Sequence, residues 1–147
     1  MDVGCGDGRV CIALNKVTNC KCLGVDISPL CVEQARENAE REGCGEGDVG
    51  FSQADVCGCV GVEGGGEVDV VYMFVYPTLL SKVGGFLGRM RRLERIVTNT
   101  YHFGEDGVGL LEGWREEVHE CTERGQPSES GFSKLKVWVR EVERTVN

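Results

Sequence analysis

What the sequence is short of limits it first. It carries 16 lysines and arginines against 24 aspartates and glutamates, for a formal charge of −8 and a pI near 4.8. Proteins that grip nucleic acid by its backbone rely on clustered positive charge, so no nucleic-acid partner is expected. No apolar run approaches the ~20 residues that a helix needs to span a bilayer, so no membrane span is expected. No internal repeat or low-complexity tract divides the chain. No secretory or other targeting segment is visible ahead of the first structural motif.

What is present is enough for one domain. At 147 residues with 41% hydrophobic content the chain can bury a single core. Nine cysteines are an odd number, and without a secretory leader they read as reduced intracellular thiols. Lys82, Arg89, Arg91, Arg92 and Arg95 gather on and just after one predicted helix. They read as a solvated face with cations near a helix C-terminus, or else as a docking patch for an acidic partner.

The order of elements points to a fold class. Residues 1–4 close a first strand, a glycine-rich turn follows, and Val10 to Leu14 begin a helix that ends near Lys16. Cys22 to Asp26 form a short apolar strand. Ser28-Pro29 then places an N-cap beside an N1 proline, opening a helix through Ala35, Asn38 and Ala39 to about Glu42, with Gly43 as its stop. Phe51 to Asp55 read as a third strand, and residues 58–66 as a glycine-rich loop. The run Val68 to Val75 is apolar enough for a strand buried on both faces. Pro77 opens a helix that turns Leu79, Leu80, Val83, Phe86, Leu87 and Met90 inward, and Leu93 to Thr98 supply a fifth strand. Trp114 to Thr122 and Ser133 to Val142, joined by residues 125–128, form an antiparallel hairpin. The expected fold is therefore α/β and Rossmann-like. It has a mostly parallel seven-stranded sheet, helices on both faces and a C-terminal antiparallel hairpin.

Two local features need that frame. Cys20/Cys22 and Cys57/Cys59 form two Cys-x-Cys pairs, a spacing that invites zinc. The fold puts them at opposite ends of neighbouring strands, roughly 15 Å apart, too far for one tetrahedral site; no metal is expected. The first strand is also short, because strands usually run ~5–6 residues and the chain begins one residue before Asp2. Residues 1–147 are expected to form a single domain that lacks its native N-terminal segment.

The turn Asp2-Val3-Gly4-Cys5-Gly6-Asp7-Gly8 carries the chemistry. A glycine-rich turn between strand and helix lets a ligand approach the backbone and the helix N-terminus. A dinucleotide fingerprint beginning at Gly4 would need glycine at position 9, where Arg9 stands. With Asp26 ending the next strand, the pattern resembles motif I of class I (seven-β-strand) S-adenosylmethionine-dependent methyltransferases, and the resemblance covers nearly the whole chain. It implies S-adenosyl-L-methionine as cofactor. Gly4, Gly6 and Gly8 would form the loop under its methionine and ribose parts, with Cys5 an ordinary member of the motif. Asp2 would orient that loop near the amino group. Asp26 would take the two ribose hydroxyls, since a carboxylate can accept both donors. Ile27 would pack on the adenine, and Asp55 beside Val56 would receive the adenine amine. For Asp26 and Asp55 the plain alternative is a helix cap or turn residue.

The acceptor side follows from strands four and five. Methyl transfer from a sulfonium needs alignment and an unprotonated nucleophile. Phe74-Val75-Tyr76-Pro77 departs from the Asn/Asp-Pro-Pro-Tyr/Phe motif of methyltransferases acting on base amines or glutamine amides. It resembles instead a subgroup related to mitochondrial protein-lysine methyltransferases, enzymes that act on an ATP synthase subunit or an adenine nucleotide carrier, and their bacterial relatives. Ile96-Val97-Thr98-Asn99 and Trp114 agree with that subgroup; the stretch 103–113 and the hairpin depart from it. The implied acceptor is a protein lysine or another amine, protein-borne or small, in a cytoplasmic or mitochondrial setting. Tyr76, Pro77 and Asn99, with His102, are expected to line the acceptor pocket. Tyr76 can equally be a buried aromatic with a satisfied hydroxyl, and His102 a solvated loop side chain. Two further readings are a truncated or degenerate relative without catalysis and an NAD-dependent dehydrogenase, against which Arg9 and the closing hairpin count.

Overall fold

The computed structural model describes residues 1–45, 47–57, 67–103, 113–121 and 133–140. Among these, the elements run β1 (Asp2–Val3), α1 (Arg9–Thr18), β2 (Cys22–Asp26), α2 (Pro29–Arg41), β3 (Val49–Gln53), β4 (Val70–Met73), α3 (Pro77–Leu80), α4 (Gly84–Leu87), β5 (Arg95–Asn99), β6 (Trp114–Cys121) and β7 (Ser133–Arg140). The strands form one seven-stranded sheet in the order β3-β2-β1-β4-β5-β7-β6. β1 to β5 pair in parallel, and β7 runs antiparallel to both β5 and β6. This is the expected mostly parallel sheet with a terminal hairpin. The loops expected at 58–66 and 125–128, and most of the 103–113 stretch, lie outside the described residues.

Each face of the sheet has its own core. On one face, Cys11 and Ile12 of α1 and Val32, Ala35 and Ala39 of α2 pack with Val49 and Phe51 of β3. On the other, Leu80, Val83, Phe86, Leu87 and Met90 pack with Val71, Met73, Ile96 and Trp138. The pleat separates the two sets, because successive strand side chains point to opposite faces. Helices therefore cover both faces, as the alternating sequence pattern implies.

Several expected elements are corrected. The single helix opened by Pro77 is two short ones, with a turn at 81–83. Gly84-Gly85 follows that turn, and each glycine costs about 1 kcal/mol against alanine in a helix interior. The inward set survives, since Leu80, Val83, Phe86, Leu87 and Met90 are all buried. The third strand lies two residues earlier than expected, because pairing with β2 begins at Cys22–Val49 and ends at Asp26–Gln53. The fifth strand starts at Arg95, preceded by a turn that buries Leu93. The apolar run at 68–75 contributes only Val70–Met73 to the sheet, and the strand is not buried on both faces. Val71 and Met73 are sealed, whereas Val70 is 39% exposed and Tyr72 half-buried.

β1 is two residues long yet central. It pairs on both sides, and the ladder continues through Met1, whose carbonyl accepts the Tyr72 N–H at 2.8 Å and whose ammonium donates to the Val70 carbonyl at 2.7 Å. Its C-terminal end, with those of β2 to β5, faces the loops described next.

Candidate active site

The turn after β1 is fastened to its neighbours by hydrogen bonds. The Gly4 and Cys5 N–H groups both donate to the Val25 carbonyl, at 2.8 and 3.1 Å. The Gly6 N–H donates to Asp26 Oδ2 at 2.9 Å, and Asn38 Nδ2 of α2 donates to the Asp7 carbonyl at 2.9 Å. Gly8 has φ +78°, a left-handed conformation that only glycine adopts without strain, and a Cβ there would lie 2.6 Å from Phe51 Cζ. A Cβ on Gly24 of β2 would lie 2.5 Å from the same ring. Phe51 thus fills space left by two absent side chains and supports the loop from below. Arg36 anchors its backbone, with Nη2 donating to the Phe51 carbonyl at 2.7 Å. Gly24, Phe51, Asn38 and Arg36 were not legible as site residues; glycine inside a strand was the one available signal of close approach.

The ionisable groups behind the loop are shaped by burial. Asp2 is 4% exposed, and burial pushes its carboxyl up to about 6, with the Met1 ammonium pulling it down and Asp26 pushing it further up. Burial likewise pushes the Cys5 thiol up to about 12, helped by Asp2 and Asp26. Cys5 is therefore a packed neutral thiol, not a nucleophile. Arg9 is held by Asp7 through a bidentate pair, its Nη2 2.7 Å from Asp7 Oδ2, and this pair keeps the Asp7 carboxyl below its usual range.

A cavity of about 110 Å³ opens at the ends of β1, β2 and β3, lined by Val3, Gly4, Val25, Asp26, Ile27, Ala54, Asp55, Val56 and Leu79. It brings together five of the nine expected cofactor residues. Asp26 is oriented from both sides, Oδ2 by Gly6 and Oδ1 by the Ser28 N–H at 2.9 Å. Asp55 Oδ1 accepts the Cys57 N–H at 2.9 Å, a local turn, while Ile27 is 65% exposed beside it. Asp2, Cys5, Gly6 and Gly8 are not among its lining residues, though the Gly6 N–H holds Asp26.

The exits of β4 and β5 hold the expected acceptor residues in two settings. Tyr76 is 73% exposed, which overturns a buried ring for it, and its ring centroid lies 5.8 Å from that of Tyr101. Pro77 is the first residue of α3. Asn99 turns away, with Nδ2 donating to the Tyr72 hydroxyl at 3.1 Å. His102 is half-buried, and its Nδ1 lies 2.9 Å from Thr98 Oγ1, so it is no freely solvated ring. Val75 points back at the loop; a Cβ on Gly4 would lie 2.9 Å from its Cγ1.

A larger hollow of about 400 Å³ lies elsewhere, between α1 and β4, β5 and β7, lined by Val10, Leu14, Val70, Tyr72, Val97, Asn99 and Leu135. It has neither the glycine turn nor a carboxylate, and a ligand site needs convergent polar groups as well as room. The smaller cavity is the better candidate. The Cys20 and Cys22 sulfurs lie 3.5 Å apart, far along the chain from Cys57, and Cys59 is outside the described residues. Among the described residues no group of three or more His, Cys, Asp or Glu side chains is placed to hold a metal, and no helix is long and apolar enough to cross a membrane.

The strand order, the glycine turn and the carboxylate ending β2 together define a class I methyltransferase fold. Solved structures agree on that fold. An RNA methyltransferase from Salinibacter ruber, in complex with S-adenosyl-L-homocysteine, superposes with a TM-score of 0.71 at 22% identity, covering 99% of this chain and 82% of that one. A magnesium protoporphyrin IX methyltransferase from Synechocystis with bound S-adenosylmethionine gives 0.68 at 20% identity, covering 95% and 68%. Ribosomal protein L11 methyltransferase of Citrobacter koseri is 44% identical over 46 residues, 31% of this chain; the match spans only 16% of that relative. The family described as the ANTKMT methyltransferase domain matches residues 2–106. The chain belongs to this family, and so to the S-adenosylmethionine-dependent methyltransferases; the dehydrogenase reading is set aside.

Proposed function

We propose that this domain methylates an amine, a protein lysine in the first instance, with S-adenosylmethionine held across the ends of β1, β2 and β3. One observation carries the reading: Asp26 stands at the mouth of the cavity with each carboxylate oxygen already committed to one backbone N–H. A carboxylate has about four lone-pair sites, so two remain for a pair of hydroxyls on a ribose. The exposed Ile27 offers an apolar face for a purine, and Asp55 stands beside it as an acceptor for an exocyclic amine. The glycine turn leaves no side chain between backbone and ligand. These residues fit the nucleoside end of the cofactor.

When bound, the cofactor supplies a methyl group on a sulfonium sulfur. That methyl would pass to the lone pair of an unprotonated acceptor amine, with the neutral thioether as leaving group and one proton released from the methylated amine to solvent. The protein's part is alignment and exclusion of water. Val75, packed against the loop at Gly4, fixes where the β4 exit and the acceptor side stand relative to it. Two points support an amine over a base or amide acceptor. Phe74-Val75-Tyr76-Pro77 lacks the Asn/Asp-Pro-Pro motif, and the relatives matched at 44% identity are named for a ribosomal protein.

Calorimetry with S-adenosylhomocysteine tests the cofactor half. Micromolar binding is expected, weakened about 10- to 100-fold by Asp26→Ala, as loss of hydrogen bonds to a charged group implies. No binding by the parent protein would overturn the reading. Labelled cofactor in cell extract tests the acceptor half; label recovered as methyl-lysine is expected, and label confined to RNA would refute it.

A further inference from the structure

Three aromatic side chains stand exposed where an acceptor would approach. Phe74 is 55% exposed, Tyr76 73% and Tyr101 36%. They are not scattered. Phe74 and Tyr101 stack with centroids 6.2 Å apart and planes 13° from parallel, and Tyr76 leans on Tyr101 at 5.8 Å and 39°. Contiguous exposed aromatic surface on an isolated domain marks a place where something binds.

The backbone is arranged to build this surface. Between Phe74 and Tyr76, Val75 points the other way, into the core beside the Gly4 turn. The aromatic pair therefore flanks the segment that touches the candidate cofactor loop. Tyr101 arrives from β5 through Thr100, which has φ +63°, a left-handed conformation uncommon for any residue but glycine and rarer for a β-branched one. The Tyr101 N–H closes a tight turn onto the Asn99 carbonyl at 2.6 Å. Strained backbone of this kind clusters at functional sites. Here it delivers a ring to a stack that remains open to solvent.

Charge decides what the platform takes. Arg92, Arg95 and Arg140 gather at the opposite edge of the sheet, about 13 Å away along β5. They are occupied there: Arg92 pairs with Asp69 at 3.1 Å, Arg95 with Glu94 at 3.8 Å, and Arg140 lies over the Trp114 ring at 4.8 Å. Arg9, on the loop, is held by Asp7. Lys136, near the C-terminal end of β5, pairs with Glu116 at 2.8 Å. A platform for nucleobases pairs its aromatic rings with a basic track for phosphates. In a chain of net charge −8, the described cations named above are paired or at the far edge, and among the described residues no such track is laid out beside this stack.

We infer that Phe74, Tyr76 and Tyr101 form an acceptor-side platform that recognises an alkylammonium group, the head of a lysine or methyl-lysine side chain, over their ring faces. This deepens the proposed lysine-methylating reading and rests on it for the word acceptor; the platform's affinity for a cation is separable. Ring faces carry negative quadrupole potential and attract organic cations, most clearly quaternary ammonium groups. The apolar stem of the side chain has the same surface to lie on.

The test is a titration with Nα-acetyl-Nε-trimethyl-lysine amide and with its uncharged tert-butyl isostere, read by the aromatic NMR signals of Phe74, Tyr76 and Tyr101. The cation is expected to shift all three rings saturably and to bind about fivefold or more tighter than the isostere. Tyr101→Phe keeps the ring face and should retain that preference; Tyr101→Leu keeps apolar area and should lose it. Equal binding of cation and isostere would overturn the proposal. So would ring shifts from uridine monophosphate without any from the cation, which would make the surface a base-stacking platform. S-adenosylhomocysteine affinity, measured alongside, keeps the two readings apart. Cation binding without cofactor binding sinks the methyltransferase proposal alone; cofactor binding with no ring shifts sinks the platform alone.

Discussion

The two halves of the strand-end surface are built by different means. At β1 to β3, the shape is set by backbone: Gly4, Cys5 and Gly6 donate N–H groups to β2, Asn38 and Arg36 reach in from α2, and Phe51 fills the space beneath. At β4 and β5 the surface is set by side chains, a stack of open rings with few hydrogen bonds among them. A cofactor is the same molecule in every relative and can be met by fixed backbone. An acceptor differs between relatives, and side chains on loop exits are the part that can change without rebuilding the sheet.

This contrast predicts unequal tolerance. The largest effect is expected at Gly8→Ala, where a left-handed residue and a 2.6 Å approach to Phe51 coincide. Strain and overpacking together imply a loss of about 3–5 kcal/mol in urea unfolding. Phe51→Leu should relieve part of it in a double-mutant cycle; a change under 1 kcal/mol for Gly8→Ala would show that the loop is looser than its contacts.

Asp2 comes next. Its carboxyl keeps its proton to about pH 6 in the folded protein, whereas the unfolded chain releases it near 3.8. The folded state binds more protons in that window, so this group favours folding most below about pH 4, and the advantage is lost as pH rises from about 4 through about 6. The difference reaches about 3 kcal/mol. Denaturation curves from pH 4 to 7 should show a downward trend that Asp2→Asn removes; identical slopes in the two proteins would contradict the buried, protonated carboxyl.

The smallest effect belongs to the other half. Tyr76 is 73% exposed, so Tyr76→Leu should change stability in urea unfolding by no more than about 0.5 kcal/mol. A loss above about 3 kcal/mol would mean that the acceptor half is as tightly specified as the cofactor half, and the contrast would fail.

The same division decides what was legible in the sequence. The proposed cofactor half is written in two short stretches, so Gly4, Gly6, Gly8, Asp26 and the Ser28-Pro29 cap could be read directly, and the mostly parallel sheet with its closing hairpin followed from the alternation of elements. Phe51 under the glycine turn could not, because its role depends on Gly8 and Gly24 being empty at the same point in space. Asn99 was grouped with Tyr76 on the strength of strand ends alone, and its turn toward Tyr72 is a matter of which face it occupies. The break between α3 and α4 was signalled by Gly84-Gly85, but helical spacing of the inward residues masked it, since two short helices in line bury the same set. Tyr101 joins Phe74 only through the left-handed Thr100, a backbone choice that no residue pattern announces.

The two N–H groups that grip Asp26 bear on how fast a ligand can be captured. The carboxylate and the turn at residues 4–6 are already in register, so this described part of the site does not have to be ordered at the moment of encounter, and its conformational entropy is spent during folding. Nucleoside capture at this site should behave as simple docking, with an on-rate in the ordinary range of about 10⁵–10⁷ M⁻¹s⁻¹ that does not saturate with ligand concentration.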